Sequence, residues 1–163
     1  MEEEMKIKNE NIEDTDEDFV NSREEIKKFR EKTKNYDKFA PLVPGTIVCS
    51  SYYTFEGEER TGVFCVLYDE MLDNGIFESR NVIACKVSSQ NTLISNYSCG
   101  INRLYNDYLD KDCIVCCSKI HVLHKTHNVY RVLGVLDRNT YSRVVKTYTR
   151  FRREVERQMF DRL

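Results

Sequence analysis

Residues 113–124 read CIVCCSKIHVLH, with three cysteines and two histidines inside twelve positions. Cys113-x2-Cys116 and His121-x2-His124 have the spacing of a zinc site, which needs four ligands converging on one metal. No glycine or proline bends the chain between the pairs, and the intervening residues are mostly Ile, Val and Leu. Such a run prefers a strand, in which Cys113 and His121 stand about 26 Å apart. On a regular strand Cys113 and Cys116 also point to opposite faces. One strand cannot close a zinc site alone, so no metal is expected, and the thiols read as small buried hydrophobes. Cys117 and His121 would share a face but lie about 13 Å apart, too far for a nucleophile and its base. Cys85 is expected to pack on Cys116. This one segment commits the middle of the chain to β-structure.

The neighbouring segments agree. TIVCSSYY (46–53), TGVFCVLYDE (61–70), NVIACKVSS (81–89) and YRVLGVL (130–136) are rich in β-formers. Polar EGEER (56–60) and the Asn74-Gly75 signal within 71–80 break the runs. Residues 90–104 are ambiguous, with room for two short strands. Short strands separated by turns predict a small antiparallel barrel.

The two ends differ in charge. Residues 1–22 carry nine acids against two lysines, and residues 141–163 carry seven bases against three acids. The first block reads as an acidic, solvated arm over 1–21. Ser22 and Glu25 form a capping box for a helix over 22–37, within an N-terminal helix-and-linker unit of 22–43 that ends at Pro41 and Pro44. The C-terminal segment is helical, capped by Asp137 or Asn139. Val144, Val145, Tyr148, Phe151, Val155 and Met159 form its apolar face, and Arg143, Lys146, Arg150, Arg153 and Arg157 gather opposite. The fold class is therefore α+β, mainly β. The lack of an 18-residue apolar run or a leader-like N-terminus places the expected protein in the cytoplasm, without membrane contact. There the seven cysteines stay reduced.

Taken together, residues 44–163 resemble the MazF/PemK family of endoribonuclease toxins. Pro44-Gly45-Thr46-Ile47-Val48 is similar to that family's "GDIV" opening strand, and 57–67, GEERTGVFCVL, to its "G-x-R-P-x-V-V" strand. Val82 to Gln90 is similar to its "I-V-x-x-I-T-x-Q" strand, Asp112 to Leu123 to "D-S-V-V-L-x-x-Q-I-R-T-I", and Leu133 to Leu136 to "L-G-x-L". The resemblance implies an SH3-like β-barrel with a C-terminal helix, a homodimer, an antitoxin partner, and metal-independent cleavage of single-stranded RNA without a cofactor. In that reaction the ribose 2′-OH attacks the adjacent phosphate.

Carried over by position, Glu59 is the loop acid and Ser88 the strand hydroxyl, while Phe64 occupies the place of the family's arginine and His121 that of a polar strand residue. Lys86 shares a face with Ser88, Arg60 lies beside Glu59, and His121 titrates near neutrality. A Lys86/Ser88/His121 site with Glu59 and Arg60 nearby is thus a legal ribonuclease. The basic helical row Arg143, Lys146, Arg150, Arg153 and Arg157 would contact RNA phosphates. Tyr52, Tyr53 and Tyr97 are candidate base-stacking groups. The competing reading is a barrel from a phage or mobile element that no longer cleaves. It would bind RNA, or bind and inhibit a host protein such as a nuclease.

Overall fold

Each β-rich run becomes a strand. The structure, a computed structural model, describes residues 40–70, 80–89 and 95–162. The expected acidic arm, the helix over 22–37 and the Asn74-Gly75 loop lie outside the described residues. Six strands follow in order: β1 (Thr46–Tyr53), β2 (Glu59–Asp69), β3 (Asn81–Ser88), β4 (Ser98–Ile101), β5 (Cys113–His124) and β6 (Val129–Val135). Helix α1 (Arg138–Asp161) completes the chain. The ambiguous 90–104 segment supplies one strand, β4, among the described residues.

The strands form one antiparallel sheet in the order β4-β5-β3-β2-β1-β6. No pairing joins β4 to β6 among the described residues, so the expected closed barrel is instead a sheet with two edges. All six strands nevertheless feed one apolar cluster, which includes Ile47, Val63, Val87, Ile101, Val115 and Tyr130. Val144 of α1 is buried in the same cluster. β4 is only four residues long, and α1 packs against β4 and β5. Asp137 caps the helix by accepting from Thr140 N at 3.1 Å, which decides between the two cap candidates. The apolar helix face is only partly used, because Val145, Val155 and Met159 stay exposed.

A second buried cluster lies on the opposite face of the central strands, where Val48, Phe64, Val66, Ala84, Leu123 and Val129 meet. Both faces being buried explains why these strands read as continuous apolar runs rather than alternating ones.

β5 departs from a regular strand. Cys85 pairs with Ile120, but the next residue, Lys86, pairs with Cys116, so residues 117–119 bulge out of register. The bulge turns Cys117 into the main core, whereas the His121 ring packs against Phe64 on the other face. The expectation that Cys117 and His121 share a face is therefore corrected. So is the pairing of Cys85 with Cys116: the Cys85 thiol points at Cys117 O, 3.9 Å away. All seven cysteines are buried free thiols. The hydrogen bond to Cys117 and burial together push the Cys85 thiol well above the ordinary range. Burial first, and the neighbouring thiols second, do the same at Cys65. Thiols of this kind pack and do not attack.

Candidate active site

The sequence-derived site residues fall on the start of β2, the end of β3 and the bulged part of β5. β2 leaves a tight turn in which Gly57 takes φ +90°, a left-handed conformation that favours glycine. Gly57 N donates to Thr54 O at 2.9 Å, and Thr54 N donates to Glu58 O at 2.8 Å. Arg60 follows at once, opposite Tyr52 of β1. Its guanidinium, largely shielded, reaches the Glu58 carboxylate at 3.3 Å.

Strand alternation puts Arg60, Gly62 and Phe64 on one face. Phe64 pairs with Lys86, and continuing that register sets Gly62 opposite Ser88. Arg60 and Ser88 are then diagonal neighbours, roughly 7–8 Å apart and within reach of a long side chain. Gly62 is what keeps this corner open. A Cβ there would stand 3.3 Å from the Tyr52 ring, 3.4 Å from the Phe64 ring and 3.7 Å from Lys86 Cε.

Beyond Gly62 the face is filled. Phe64 and Ser88 are fully buried and Lys86 is 3% exposed. Lys86 Nζ donates to Tyr52 Oη at 2.8 Å. Tyr52, Phe64 and His121 meet edge to face, with ring centroids 5.1–5.5 Å apart, a separation at which aromatic pairs attract beyond their buried area. Arg60, Lys86, Ser88 and His121 thus share one face. Glu59 does not: it pairs with Tyr53, and alternation turns it away from Arg60. Among the described residues no three metal-ligating side chains cluster.

Next to Ser88, where β3, β5 and β4 meet α1, lies a cleft of about 370 Å³. Its floor follows the cross-strand row Ser88, Ile114, Gly100. Ser89, Asn102, Asp112 and Arg143 complete the walls. Asn102 and Asp112 were not among the expected site residues, because each sits in a polar segment that looks like any other loop.

The helical basic row is partly occupied within the chain. Arg143 donates to Gly100 O and Thr140 Oγ1, both at 3.3 Å. Arg150 donates to Asn96 O and lies 5.3 Å from the Tyr97 ring centroid. Arg157 pairs with Glu154 and Asp161, and that pairing holds the Glu154 carboxyl below its usual range. Lys146 and Arg153 have no such partner among the described residues. No described helix is long and apolar enough to cross a membrane.

No protein-family model matches the chain, and no curated protein matches its sequence. Solved structures do match. An endoribonuclease from a mycobacterial species has a TM-score of 0.46 at 12% identity, covering 69% of this chain and 91% of its own. The Mycobacterium tuberculosis toxin MazF-mt6 has a TM-score of 0.45 at 10% identity, covering 62% and 91%. MazF from Deinococcus radiodurans has a TM-score of 0.52 at 11% identity, covering 69% of this chain and 96% of its own. The last of these likenesses carries the conclusion: the sheet and its C-terminal helix have a MazF-like fold.

Proposed function

We propose that the protein is a divergent MazF-like endoribonuclease acting on single-stranded RNA, with Arg60 as its cation. The observation that carries this reading is the shared face of Arg60 and Ser88 across Gly62, with Ser88 also lining the cleft. The family motif asks for an arginine just after the loop glycine. Arg60 follows Gly57 by three residues, whereas Phe64 lies deep in the buried part of β2. By spacing Phe64, two residues after Gly62, keeps the motif position, but a buried phenyl ring cannot offset phosphate charge, and Arg60 is the nearest cation on the same face of β2.

In the proposed reaction the ribose 2′-oxygen attacks phosphorus and the bond from phosphorus to the 5′-oxygen breaks. The products are a 2′,3′-cyclic phosphate and a 5′-hydroxyl. Arg60 offsets the charge on the pentacovalent phosphorane, and the Ser88 hydroxyl donates to a non-bridging oxygen. His121, half-buried against Tyr52, takes the 2′-OH proton and returns it to the leaving oxygen. Lys86 is a positioning residue that fixes Tyr52 through the 2.8 Å hydrogen bond.

The test is incubation with mixed-sequence RNA in EDTA, reading the termini. Cuts that leave cyclic phosphates and vanish in Arg60→Ala support the reading. Intact RNA, or cutting that persists in Arg60→Ala and Ser88→Ala, overturns it.

A second reading has its own observation. Phe64, Lys86 and Ser88 are closed off from solvent, as suits a sheet that has given up chemistry for binding. It predicts intact RNA together with a stoichiometric protein partner from a host lysate.

A further inference from the structure

The cleft beside Ser88 has a composition of its own. At about 370 Å³ it falls in the size range of small-ligand sites, roughly 300–1,000 Å³. Ile101, Cys113 and Ile114 give the lining its apolar part, and one side is open because Gly100 has no side chain. A Cβ built at Gly100 would meet nothing within 4 Å.

The polar walls are specific. Asp112 Oδ1 accepts from Arg103 N at 2.9 Å, which fixes the carboxylate and leaves Oδ2 and the second lone pair of Oδ1 to accept from elsewhere. Asn102 Oδ1 accepts from Leu104 N at 2.9 Å, which fixes the amide with its NH₂ available to donate. Arg143 is tied to Gly100 O and Thr140, so its guanidinium is a held planar wall. One cation and one carboxylate leave the cleft close to neutral. A phosphate gains little there, since the carboxylate opposes it. A flat, neutral ring that presents N–H donors beside a carbonyl acceptor fits far better.

We propose that this cleft is a base-reading site for guanine in single-stranded RNA. Guanine alone among the four bases sets two N–H donors side by side on its Watson–Crick edge, where a carboxylate accepts both. The Asn102 amide then donates to O6, and the Arg143 plane stacks on the ring. The proposal deepens the ribonuclease reading and rests on it for the identity of the ligand as RNA. Ser88, which lines the cleft and is a diagonal neighbour of Arg60, links the base read in the cleft to the phosphate positioned by Arg60.

The test separates base reading from cleavage by using 2′-O-methyl hexamers, which lack the attacking hydroxyl. Hexamers carrying one guanine, or inosine, adenine, cytosine or uracil in its place, are titrated against the full chain. The guanine hexamer should bind at least about tenfold more tightly, in line with a good bidentate base contact. Asp112→Asn and Gly100→Val should abolish that preference while thermal unfolding stays cooperative. Equal binding of all hexamers, preference for another base, or an unchanged guanine preference in Asp112→Asn overturns the proposal. Cleavage in EDTA without a guanine preference overturns the base reader and leaves the reaction standing. A guanine preference without cleavage keeps the base reader and removes the ribonuclease.

Discussion

Lys86 Nζ donates to Tyr52 Oη at 2.8 Å in a part of the sheet that water does not reach. The bond joins β3 to β1 across the width of β2, above Phe64. Removing an acceptor from such a buried donor costs about 1–3 kcal/mol. Tyr52→Phe should therefore lower the unfolding free energy by about that much, read as a shifted denaturant midpoint with unchanged slope. A shift below about 0.5 kcal/mol would mean that the bond adds little.

Arg60 and Ser88 should separate from their neighbours in a cleavage assay. Losing one preorganised donor to the phosphorane costs about 10²–10³ in rate. Arg60→Ala should fall by that factor, and Arg60→Lys should recover only part of it, since a point charge lacks the planar fork. Lys119→Ala, an exposed site on the β5 bulge, should cleave like the parent. Equal rates for Arg60→Ala and Lys119→Ala would dismiss Arg60 as the cation.

The Lys125–Asp69 pair is a structural matter. The two groups meet at 2.9 Å with both side chains fully buried. Lys125 also donates to Ala40 O, and Asp69 accepts from Leu42 N at 2.8 Å. The pair thus fastens residues 40–42 to the end of the sheet. Breaking a buried pair from one side costs about 3–5 kcal/mol, because the other charge is stranded. Lys125→Met should be destabilised by that amount, and Lys125→Met with Asp69→Leu should recover most of it. A double variant no better than the single one would show that the contacts to Ala40 and Leu42 matter more than the charges.

Much of this was legible in the sequence, for identifiable reasons. β1, β2, β3, β5 and β6 were visible because β-branched runs end at polar turns. The Asp137 cap was visible because a short acceptor precedes a helical stripe. The β5 bulge was not, since Cys113 to His124 contains neither glycine nor proline. Its only trace is the polar pair Ser118-Lys119, which the structure leaves exposed. That missing shift reversed the side assigned to Cys117 relative to His121. The burial of Lys86 was hidden too, because its partner Tyr52 lies 34 residues away. Arg60 was named as a helper while Phe64 was assigned the arginine position. Motif alignment weighs spacing alone, and the depth of Phe64 in the core is a property of the folded sheet that spacing does not carry.

Asp137 couples the helix start to pH. The hydrogen bond from Thr140 holds its carboxyl below the usual range, and the one from Asn106 adds to this. A group with a depressed folded pKa contributes stability above its unfolded pKa and loses it as pH falls through the folded value. Asp137→Ala should cost about 0.5–2 kcal/mol at neutral pH, as N-cap losses do. The difference from the parent should shrink under acid conditions. Asp137→Asn, still a good cap, should stay near the parent and lose the pH dependence. Parallel stability curves for parent and Asp137→Asn from neutral pH into the acid range would rule out this linkage.

The helical basic row should split into two classes in RNA binding. Arg157 is already shared between Glu154 and Asp161, and Arg150 is held on Asn96 O and Tyr97. Lys146 and Arg153 are exposed and have no such partner among the described residues. A base that neutralises a phosphate contributes about −0.7 to the slope of log affinity against log salt on a single strand. If α1 faces the RNA backbone, Lys146→Ala and Arg153→Ala should each make that slope shallower by about this amount and weaken all sequences alike. Arg157→Ala should change it little, because its neighbours already compensate the charge. Measuring affinity for a 2′-O-methyl hexamer across a salt series decides the matter. Unchanged slopes in both exposed variants would assign the row to solvent and leave RNA contact to the sheet face around Arg60 and the cleft.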